Sequence, residues 1–480
     1  MQVQNFSMSN KLRRNDPVLI CCVWVTLSAL IAMRAWFHFT ASPLPDEAYY
    51  WLWGQRPGLS YFDHPPLQAW LQAVTQSVFG TSRFALRLPA VFTTSILIAC
   101  LFWWHRRLGQ PHFPTTLAVT FSSPLIFTMT GMVFNDHLMI ACLALATIQL
   151  FLLYDNPCRI RHLYAAALLI GLAGLAKYNA AVFAIGAFAV IPLTPKLRKL
   201  LLNPHLYAAA AVCLLCLMPV FIWNFANDAA SFKYNLEDRL GVAPTWPKAA
   251  GRAIVFLVAF CFVLSPVAFV AIVAALRKPN QQTGLRTALI VFSFATLFCV
   301  LLSYSTFVIY YWNVIAVVAL LPFLPLLMKR WAILSHMLYG TGIIAVLLVN
   351  HIVRPFAAPA DNETAIMYGW PEINMAISRY QADWLITTDY RSAAILAFWQ
   401  DDPSVDVIAE RISQFTLWFD HPAREGMDAI ILSSDWFPLT DVVFDRFERV
   451  EALVRVPVTK WGRPITTYKI WLGIGYSSPE

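Results

Sequence analysis

Charged residues are scarce in this sequence. Asp, Glu, Lys and Arg make up 13% of its 480 residues, whereas 59% are hydrophobic, and the mean hydropathy is +0.58. Soluble domains carry about 25% charged residues, so the composition argues against an ordinary soluble protein and indicates a polytopic membrane protein. The formal net charge of +8 is low for this length and lies mostly in short loops. We interpret it as a topology signal and expect no nucleic acid among the partners.

Motifs of several soluble enzyme classes are also missing. The sequence has no glycine-rich phosphate loop, no HExxH and no GxSxG, which argues against P-loop nucleotide, zinc-protease and α/β-hydrolase chemistry. Its nine cysteines all precede residue 300 and show no metal-ligand spacing, which indicates core-filling thiols. The C-terminal part therefore has to fold on its hydrophobic core alone.

Long apolar runs are abundant instead. One of them, 163–192, is too long for a single crossing and is interrupted by Lys177-Tyr178-Asn179, which predicts two short helices that meet at a break. With this run counted twice, the sequence predicts about eleven transmembrane helices. The other stretches are 18–38, 84–104, 114–131, 137–154, 206–225, 252–274, 287–305, 313–328 and 332–350.

Basic residues lie mostly on one side of these helices, which the positive-inside rule assigns to the cytoplasm. That side includes the N-terminus, Arg106-Arg107, Arg159 and Arg161, Lys196 to Lys199, Arg277-Lys278 with Arg286, and Lys329-Arg330. The periplasmic side then holds the loops 41–83 and 226–251, the turns at 134–137 and 304–312, and the C-terminal tail.

Charges and turn residues return after residue 351. This change predicts a transmembrane domain, 1–351, followed by a soluble periplasmic α/β domain, 352–480. The tail favours a helix at Arg391–Gln400 and strands at Asp383–Thr388, Asp428–Ser433 and Thr466–Trp471.

The stretch 45–70, PDEAYYWLWGQRPGLSYFDHPPLQAW, joins acids to aromatics just after the first apolar run. Trp and Tyr favour the membrane interface, whereas a carboxylate near hydrocarbon is costly without a purpose. One interpretation is a surface-lying amphipathic helix with solvated acids. The other is an active site for a lipid-linked substrate, built on Asp46, Glu47, Asp63 and His64.

Asp136 is a further informative acid, because it lies between two apolar helices. It could cap the following helix, and Asn135 could do so equally well. Alternatively it joins the first-loop acids in one pocket, where mutual repulsion would raise their pKa values unless cations balance the charge. The candidate cations are a metal ion and Arg83, Arg87, Lys177, Lys233 and Arg239.

Together these motifs resemble a known superfamily. PDEAYYW, YFDHPPLQAWL, FND and GLAGLAKYN are similar to motifs of the polyprenyl-phosphate-sugar-dependent glycosyltransferases of the protein O-mannosyltransferase and lipid A aminoarabinose transferase superfamily, which have the GT-C fold. WNFANDAASFKYNLEDRLG, YYWNVIAVVALLPFLPLL and DYRSAAILAFW also resemble its members. The resemblance implies a multi-pass enzyme of the bacterial inner membrane that faces the periplasm and inverts the anomeric centre.

The resemblance also implies residue roles. Asp46 matches the first-loop acid, the candidate general base, and Asp136 matches the second acid. Asp63-His64-Pro65 stands where the aminoarabinose enzymes carry an acid-Lys-Pro triplet near the donor phosphate, and His is mostly neutral at pH 7. Asp63 and His64 are candidate ligands of a divalent metal, the one cofactor considered. The remaining candidates for substrate binding are Glu47, Arg83, Lys177, Lys233, Arg239, Tyr310 and Tyr311.

The implied reaction moves a sugar from a polyprenyl-phosphate donor to lipid A or lipopolysaccharide core, with galacturonic acid or aminoarabinose as candidate sugars. Membrane lipids are further expected partners. A protein acceptor is an alternative, as are a structural membrane subunit and a transporter or flippase of lipid-linked sugars, which a broken helix with an intramembrane lysine also suits. Acids gathered at one face rather than at the midplane favour the enzyme.

Overall fold

The computed structural model describes residues 16–238, 246–278, 283–356 and 362–479. Up to residue 353 these residues are almost entirely helical. The helices before residue 200 are α1 (Pro17–Thr40), α2 (Pro45–Gln55), α3 (Leu67–Phe79), α4 (Arg83–Leu108), α5 (Phe113–Phe121), α6 (Pro124–Gly131), α7 (Asn135–Asp155), α8 (Ile160–Ala176) and α9 (Ala180–Leu193).

The helices after residue 200 are shorter on average, and several are continued by a 3₁₀ or π segment. They are α10 (Pro204–Cys216), α11 (Met218–Ala226), α12 (Ala230–Lys233), α13 (Trp246–Leu264), α14 (Pro266–Leu276), α15 (Thr283–Leu302), α16 (Val314–Val318), α17 (Leu324–Leu327) and α18 (Arg330–Leu348). The 3₁₀ and π segments are Pro195–Leu202, Tyr234–Asp238, Tyr310–Asn313, Leu321–Phe323 and Val349–Val353.

The predicted polytopic α-helical architecture is confirmed. Within the described ranges, six helices are long and apolar enough to cross a membrane, namely α1, α4, α7, α13 from Pro247, α15 and α18 with its π extension. Three bent pairs raise the number to nine if each is one span: α9 with Pro195–Leu202, α10 with α11, and Tyr310–Val318 with Leu321–Leu327. Helices α8 and α14 are apolar but contain only 17 and 11 residues.

Two of the predicted eleven spans are missing from these nine: 114–131, which divides into α5 and α6, and the first half of 163–192, which forms the 17-residue α8. The expected span 252–274 divides at Ser265, whose φ of 96° ends α13 before Pro266 starts α14. The expected span 114–131 likewise divides before Pro124. The predicted break at Lys177 is confirmed, because α8 ends at Ala176 and α9 begins at Ala180.

The chain forms two compact units. The first comprises the residues up to 35, 64–67 and 89–345, and the second comprises 36–63, 68–88 and the residues from 346 onward. The first is a helical bundle. The second contains most of the predicted first loop together with the C-terminal segment, so two segments far apart in the sequence belong to one packed body. The boundary after residue 351 stays a sequence prediction.

The C-terminal segment contains the predicted α/β fold. Its five strands are ordered β2-β1-β3-β5-β4, with β1 parallel to β2 and β3, and β5 antiparallel to β3 and β4. The strands are β1 (Trp384–Thr387), β2 (Asp406–Val407), β3 (Ala429–Ser434), β4 (Phe447–Lys460) and β5 (Arg463–Tyr476). The helices are α19 (Asn362–Ala365), α20 (Trp370–Ile377), α21 (Tyr390–Gln400), α22 (Gln414–Trp418) and α23 (Asp441–Phe444), with a 3₁₀ turn at Pro422–Arg424.

The three strands and the helix expected from sequence are present, and strands β2 and β4 are additions. Strand β4 lies at the edge of the sheet and half of its side chains are exposed, so its sequence lacks the apolar run of a buried strand. Asp389 caps α21 by accepting hydrogen bonds of 3.0 Å from the backbone N–H groups of Arg391 and Ser392. This cap places Tyr390 directly after the carboxyl end of β1.

Candidate active site

A buried ion pair lies in the helical unit. The Lys177 Nζ is 2.7 Å from Oδ2 of Asp136, and these residues are 6% and 1% exposed. Lys177 follows the last residue of α8 with an extended backbone, so the helix break directs its side chain toward the start of α7. The Tyr311 ring centroid lies 5.0 Å from the same Nζ, and the Tyr310 ring meets Tyr311 edge-on. Four predicted site residues therefore come together here.

The start of α7 also decides whether Asp136 is a helix cap. The helix begins at Asn135, its N-cap is Phe134, and no side chain caps it. Asp136 therefore lies inside the first turn, which removes the capping explanation for this acid. Its second oxygen, Oδ1, and both amide atoms of Asn135 are buried and have no hydrogen-bond partner among the described residues. A buried polar atom left unpaired costs about 1–3 kcal/mol, so these atoms make Asp136 and Asn135 poorly suited to a purely structural role.

Glu47 forms a buried ion pair with Arg87. It is fully buried and accepts hydrogen bonds from Arg87, the shortest being 2.7 Å from Nη2 to Oε2. Its Oε2 also accepts from the backbone N–H of Leu44, which fixes the start of α2. Arg87 donates further to the backbone carbonyls of Phe37, His38, Ala41 and Ser42. These contacts favour a structural role for Glu47 over substrate binding.

The surroundings of α2 correct the interpretation of a surface helix with solvated acids. Tyr49, Tyr50, Trp51 and Trp53 are all at most 4% exposed within the second unit. The aromatic rings pack on one another and on the C-terminal segment, for example Trp51 against Phe398 with centroids 5.3 Å apart. The aromatic run is therefore mostly protein core.

Asp63 is held by a tyrosine that also contacts the C-terminal segment. The Tyr49 hydroxyl donates to Oδ2 of Asp63 at 3.1 Å and accepts a hydrogen bond of 2.8 Å from the backbone N–H of Gln414. Burial and the Asp63 charge both raise the pKa of Tyr49 well above its ordinary value, so its hydroxyl stays a donor. The Gln414 side chain in turn accepts from the backbone N–H of Phe62 at 2.7 Å.

Asp46 occupies the first turn of α2 and is partly exposed. The pKa of the Tyr390 phenol is raised to about 12, mainly by burial. The nearby Asp46 charge is the next contribution, and the Asp63 charge makes a smaller one. Two cations adjoin the same tyrosine: Arg391 Nε donates to its hydroxyl at 3.2 Å, and the Arg411 guanidinium lies 4.6 Å from the ring centroid. Asp46 and Asp63 thus share a neighbourhood with three residues of the C-terminal segment.

Sequence reasoning did not identify Tyr390, Arg391 and Arg411 as site candidates. The motif DYRSAAILAFW was a signal for the first two, since it belongs to the superfamily resemblance and contains both. Arg411 lies in a loop between short elements, where the sequence pattern offers no spatial information.

The remaining predicted site residues have other surroundings. Arg83 donates to the backbone carbonyl of Thr40 at 3.2 Å and lies over the Trp399 ring. His64 is partly buried, Lys233 is exposed at the end of α12, and Arg239 lies outside the described residues. Within the described ranges no group of three or more His, Cys, Asp and Glu side chains is arranged to hold a metal. The metal site at Asp63 and His64, and a pocket shared by Asp46, Asp63 and Asp136, stay predictions.

Sequence comparisons with known proteins agree with these motifs. The family model described as dolichyl-phosphate-mannose-protein mannosyltransferase matches residues 63–223. The lipid A galacturonosyltransferase RgtD of Rhizobium johnstonii is 24% identical over 241 residues, which is 48% of this chain and 49% of that protein. The undecaprenyl phosphate-alpha-4-amino-4-deoxy-L-arabinose arabinosyl transferase of Edwardsiella ictaluri is 29% identical over 113 residues, 20% of each chain. The chain thus spans half or less of the length of these relatives.

The fold is similar to solved structures over nearly its whole length. The crystal structure of ArnT from Cupriavidus metallidurans bound to undecaprenyl phosphate has a TM-score of 0.66 and 13% identity, and the match covers 94% of this chain and 97% of ArnT. The apo structure of the same protein has a TM-score of 0.65 and 12% identity, with the same coverage. The chain therefore has the fold of ArnT, and the matched family model and the two relatives are consistent with the resemblance of its motifs to GT-C glycosyltransferases.

Proposed function

We propose that this protein transfers a sugar from a polyprenyl-phosphate donor to an acceptor of the bacterial envelope, with lipid A or lipopolysaccharide core as the favoured acceptor. The names of the two relatives support the donor and the acceptor class, since one is a lipid A galacturonosyltransferase and the other uses an undecaprenyl phosphate donor. The solved neighbour bound to undecaprenyl phosphate adds support for the donor. Galacturonic acid and aminoarabinose are the candidate sugars.

The observation that carries this proposal is the ion pair of Asp136 and Lys177. It is buried in a bundle of apolar helices, where two desolvated charges cost more free energy than their attraction returns unless every lone pair is satisfied. One Asp136 oxygen has no partner among the described residues, so the pair is poorly arranged for stability alone. Ionisable residues in such surroundings are functional by default.

The reaction needs a base, an electrophile and a place for negative charge. The acceptor oxygen attacks the anomeric carbon while the bond from that carbon to the phosphate oxygen breaks, and the polyprenyl phosphate departs with the electron pair. A single displacement through an oxocarbenium-like state inverts the anomeric centre. Asp46, partly exposed in the first turn of α2, takes the proton of an acceptor hydroxyl, a step worth about 10²–10⁴ in rate.

The positively charged residues act on the departing phosphate rather than on the acceptor. Lys177 provides positive charge that balances the departing phosphate, and Asp136 orients this ammonium through their hydrogen bond. A divalent metal held by Asp63 and His64 would supply further charge to the phosphate. His64 and Arg83 remain candidates for contact with that group, as do Lys233 and Arg239.

Location and topology form part of the same proposal. The chain is a multi-pass membrane protein. We place it in the inner membrane with the acids and the C-terminal segment facing the periplasm, because the basic loops fall on the opposite side.

Purified protein provides the direct test. The assay combines the detergent-solubilised full chain, undecaprenyl-phosphate-linked galacturonic acid or aminoarabinose, and lipid A, and mass spectrometry then detects a mass increase equal to one sugar residue. We expect transfer from one donor, with release of undecaprenyl phosphate in equal amount. Absence of transfer from both donors by folded protein, together with unmodified lipid A in cells that overproduce it, would contradict the proposal.

The family model for protein mannosyltransferases supports one alternative, a protein acceptor. Incubation of the same donors with envelope proteins in place of lipid A separates the two acceptors. Movement of the intact lipid-linked sugar across proteoliposomes, without release of the sugar, would instead indicate a flippase.

A further inference from the structure

A single set of hydrogen bonds joins the first loop to the C-terminal segment. The Gln414 backbone N–H donates to the Tyr49 hydroxyl, and the same hydroxyl donates to Asp63. The Gln414 side chain closes the set by accepting from the backbone N–H of Phe62, the residue before Asp63. Gln414 thus holds the Asp63 side chain through Tyr49 and the neighbouring backbone through Phe62, although 351 positions separate Asp63 from Gln414 in the sequence.

Burial makes these bonds strong. Tyr49, Phe62, Gln414 and Asp63 are 2%, 4%, 3% and 8% exposed. Water has little access to compete, and a hydrogen bond to a charged group is worth more than a neutral one. The Tyr49 bond therefore restricts the orientation of the Asp63 carboxylate.

Packing holds Gln414 itself in place. The Phe415 ring of helix α22 stacks nearly parallel to the Tyr49 ring, with a centroid distance of 5.7 Å and an interplanar angle of 10°. The guanidinium of Arg56 lies 4.9 Å from the Trp418 ring centroid and donates to the backbone carbonyl of Pro403 at 2.7 Å. The contact between α22 and the first loop is therefore a packed surface with hydrogen bonds at its centre.

We propose that Gln414 and Tyr49 are positioning residues, and that helix α22 of the C-terminal segment holds the Asp63 carboxylate in the orientation that its role beside the donor site requires. This gives the C-terminal segment a direct part in the reaction. The inference rests on the proposed function for its kinetic consequence, but the hydrogen bonds themselves can be tested without any activity.

The activity-independent experiment is hydrogen exchange of the full-length protein in detergent, followed by mass spectrometry of the peptide that covers 58–66. Gln414→Met keeps the length of the side chain but removes the acceptor of the Phe62 N–H. We expect faster exchange in this peptide, and unchanged exchange there for the control Gln55→Met, because the exposed Gln55 side chain bonds to Gln76 and not to this peptide. Unchanged exchange in Gln414→Met would overturn the inference, whatever the enzyme does.

The kinetic experiment separates positioning from stability. Tyr49→Phe removes only the hydroxyl, and we expect KM for the donor to rise about tenfold, with a smaller change in kcat. A merely destabilised protein would instead lose active molecules and lower kcat at constant KM. The control Tyr61→Phe removes a buried hydroxyl that bonds only to backbone atoms of the same loop, and its KM should stay unchanged.

A double substitution tests whether Tyr49 acts through Asp63. If it does, Tyr49→Phe adds little to the KM of Asp63→Asn, because the orientation of the missing carboxylate no longer matters. Additive effects of the two substitutions would overturn the inference. Absence of transfer by the wild-type protein would contradict the proposed function, and the exchange experiment would still decide the positioning role.

Discussion

Lys177 donates to Asp136 across 2.7 Å, and it does so from a break between two helices. At the break Lys177 has an extended backbone instead of a helical one, and from this position its side chain reaches Asp136. Since both partners are buried, the pair couples the geometry of the break to the start of α7. Four consequences of this pair and of the first-loop acids can be measured, and the topology can be measured as well.

Asp136→Asn should lower kcat about 100-fold or more while the protein stays folded. Asn is nearly the same size, and its oxygen can still accept from Lys177, but it lacks the charge that orients and balances the ammonium. Transfer assays normalised to monodisperse protein from size-exclusion chromatography measure the effect. Turnover close to that of the wild type would assign Asp136 to structure alone.

Removing Lys177 alone should destabilise the protein more than removing both charges. Lys177→Met leaves Asp136 buried without its cation, at a cost of about 3–5 kcal/mol, whereas the double variant with Asp136→Asn leaves no buried charge. Thermal unfolding in detergent should rank the double variant above the single one. Equal stabilities would mean that the ion pair is more solvated than its burial indicates.

Asp46→Asn should be the most damaging neutralisation of a single acid if the acceptor is a sugar hydroxyl. A hydroxyl has a high pKa and needs a base, so kcat should fall about 10²-fold or more. An acceptor phosphate is already ionised, so with that acceptor the loss should be smaller. Kinetics with two defined lipid acceptors, one for each case, distinguish these branches; full activity with both would exclude Asp46 from the reaction.

Glu47→Gln should affect stability rather than chemistry. The carboxylate pairs with the buried Arg87, so its neutralisation leaves a guanidinium without charge compensation and lowers the thermal midpoint. The remaining folded molecules should keep the KM of the wild type. A large rise in KM for the donor at unchanged stability would restore the substrate-binding role expected from the sequence.

The orientation predicts that an alkaline phosphatase fused after residue 480 is active in the periplasm. The matched control is a fusion after Pro157, in a loop that the basic residues assign to the cytoplasm, and it should be inactive. Membrane fractions probed with an antibody to the phosphatase verify equal expression. The reverse pattern of activity would overturn the orientation, along with the periplasmic site.

The sequence by itself determined the class of protein, the helix break and the α/β tail. Hydropathy and the periodicity of apolar residues are local properties of the sequence. They therefore predicted the apolar runs, the Lys177 break and strands β1, β3 and β5. The number of spans could not, because a break such as the one before Pro124 divides an apolar run into short helices without changing its hydropathy. Edge strand β4 escaped prediction for a similar reason, since its exposed side chains carry no apolar signal.

Only the tertiary structure decided the surroundings of each acid. The sequence offers Asp46 as a candidate base and Glu47 as a candidate for substrate binding, and the turn of α2 places Glu47 against Arg87 in the core and leaves Asp46 partly exposed near Tyr390. Asp136 could be a cap or a partner of Lys177, and the start of α7 at Asn135 selected the partner. The contact of Gln414 with Tyr49 joins residues 365 positions apart. The role of a carboxylate depends on the charges and hydrogen bonds around it, and those come from distant parts of the chain that only folding brings together.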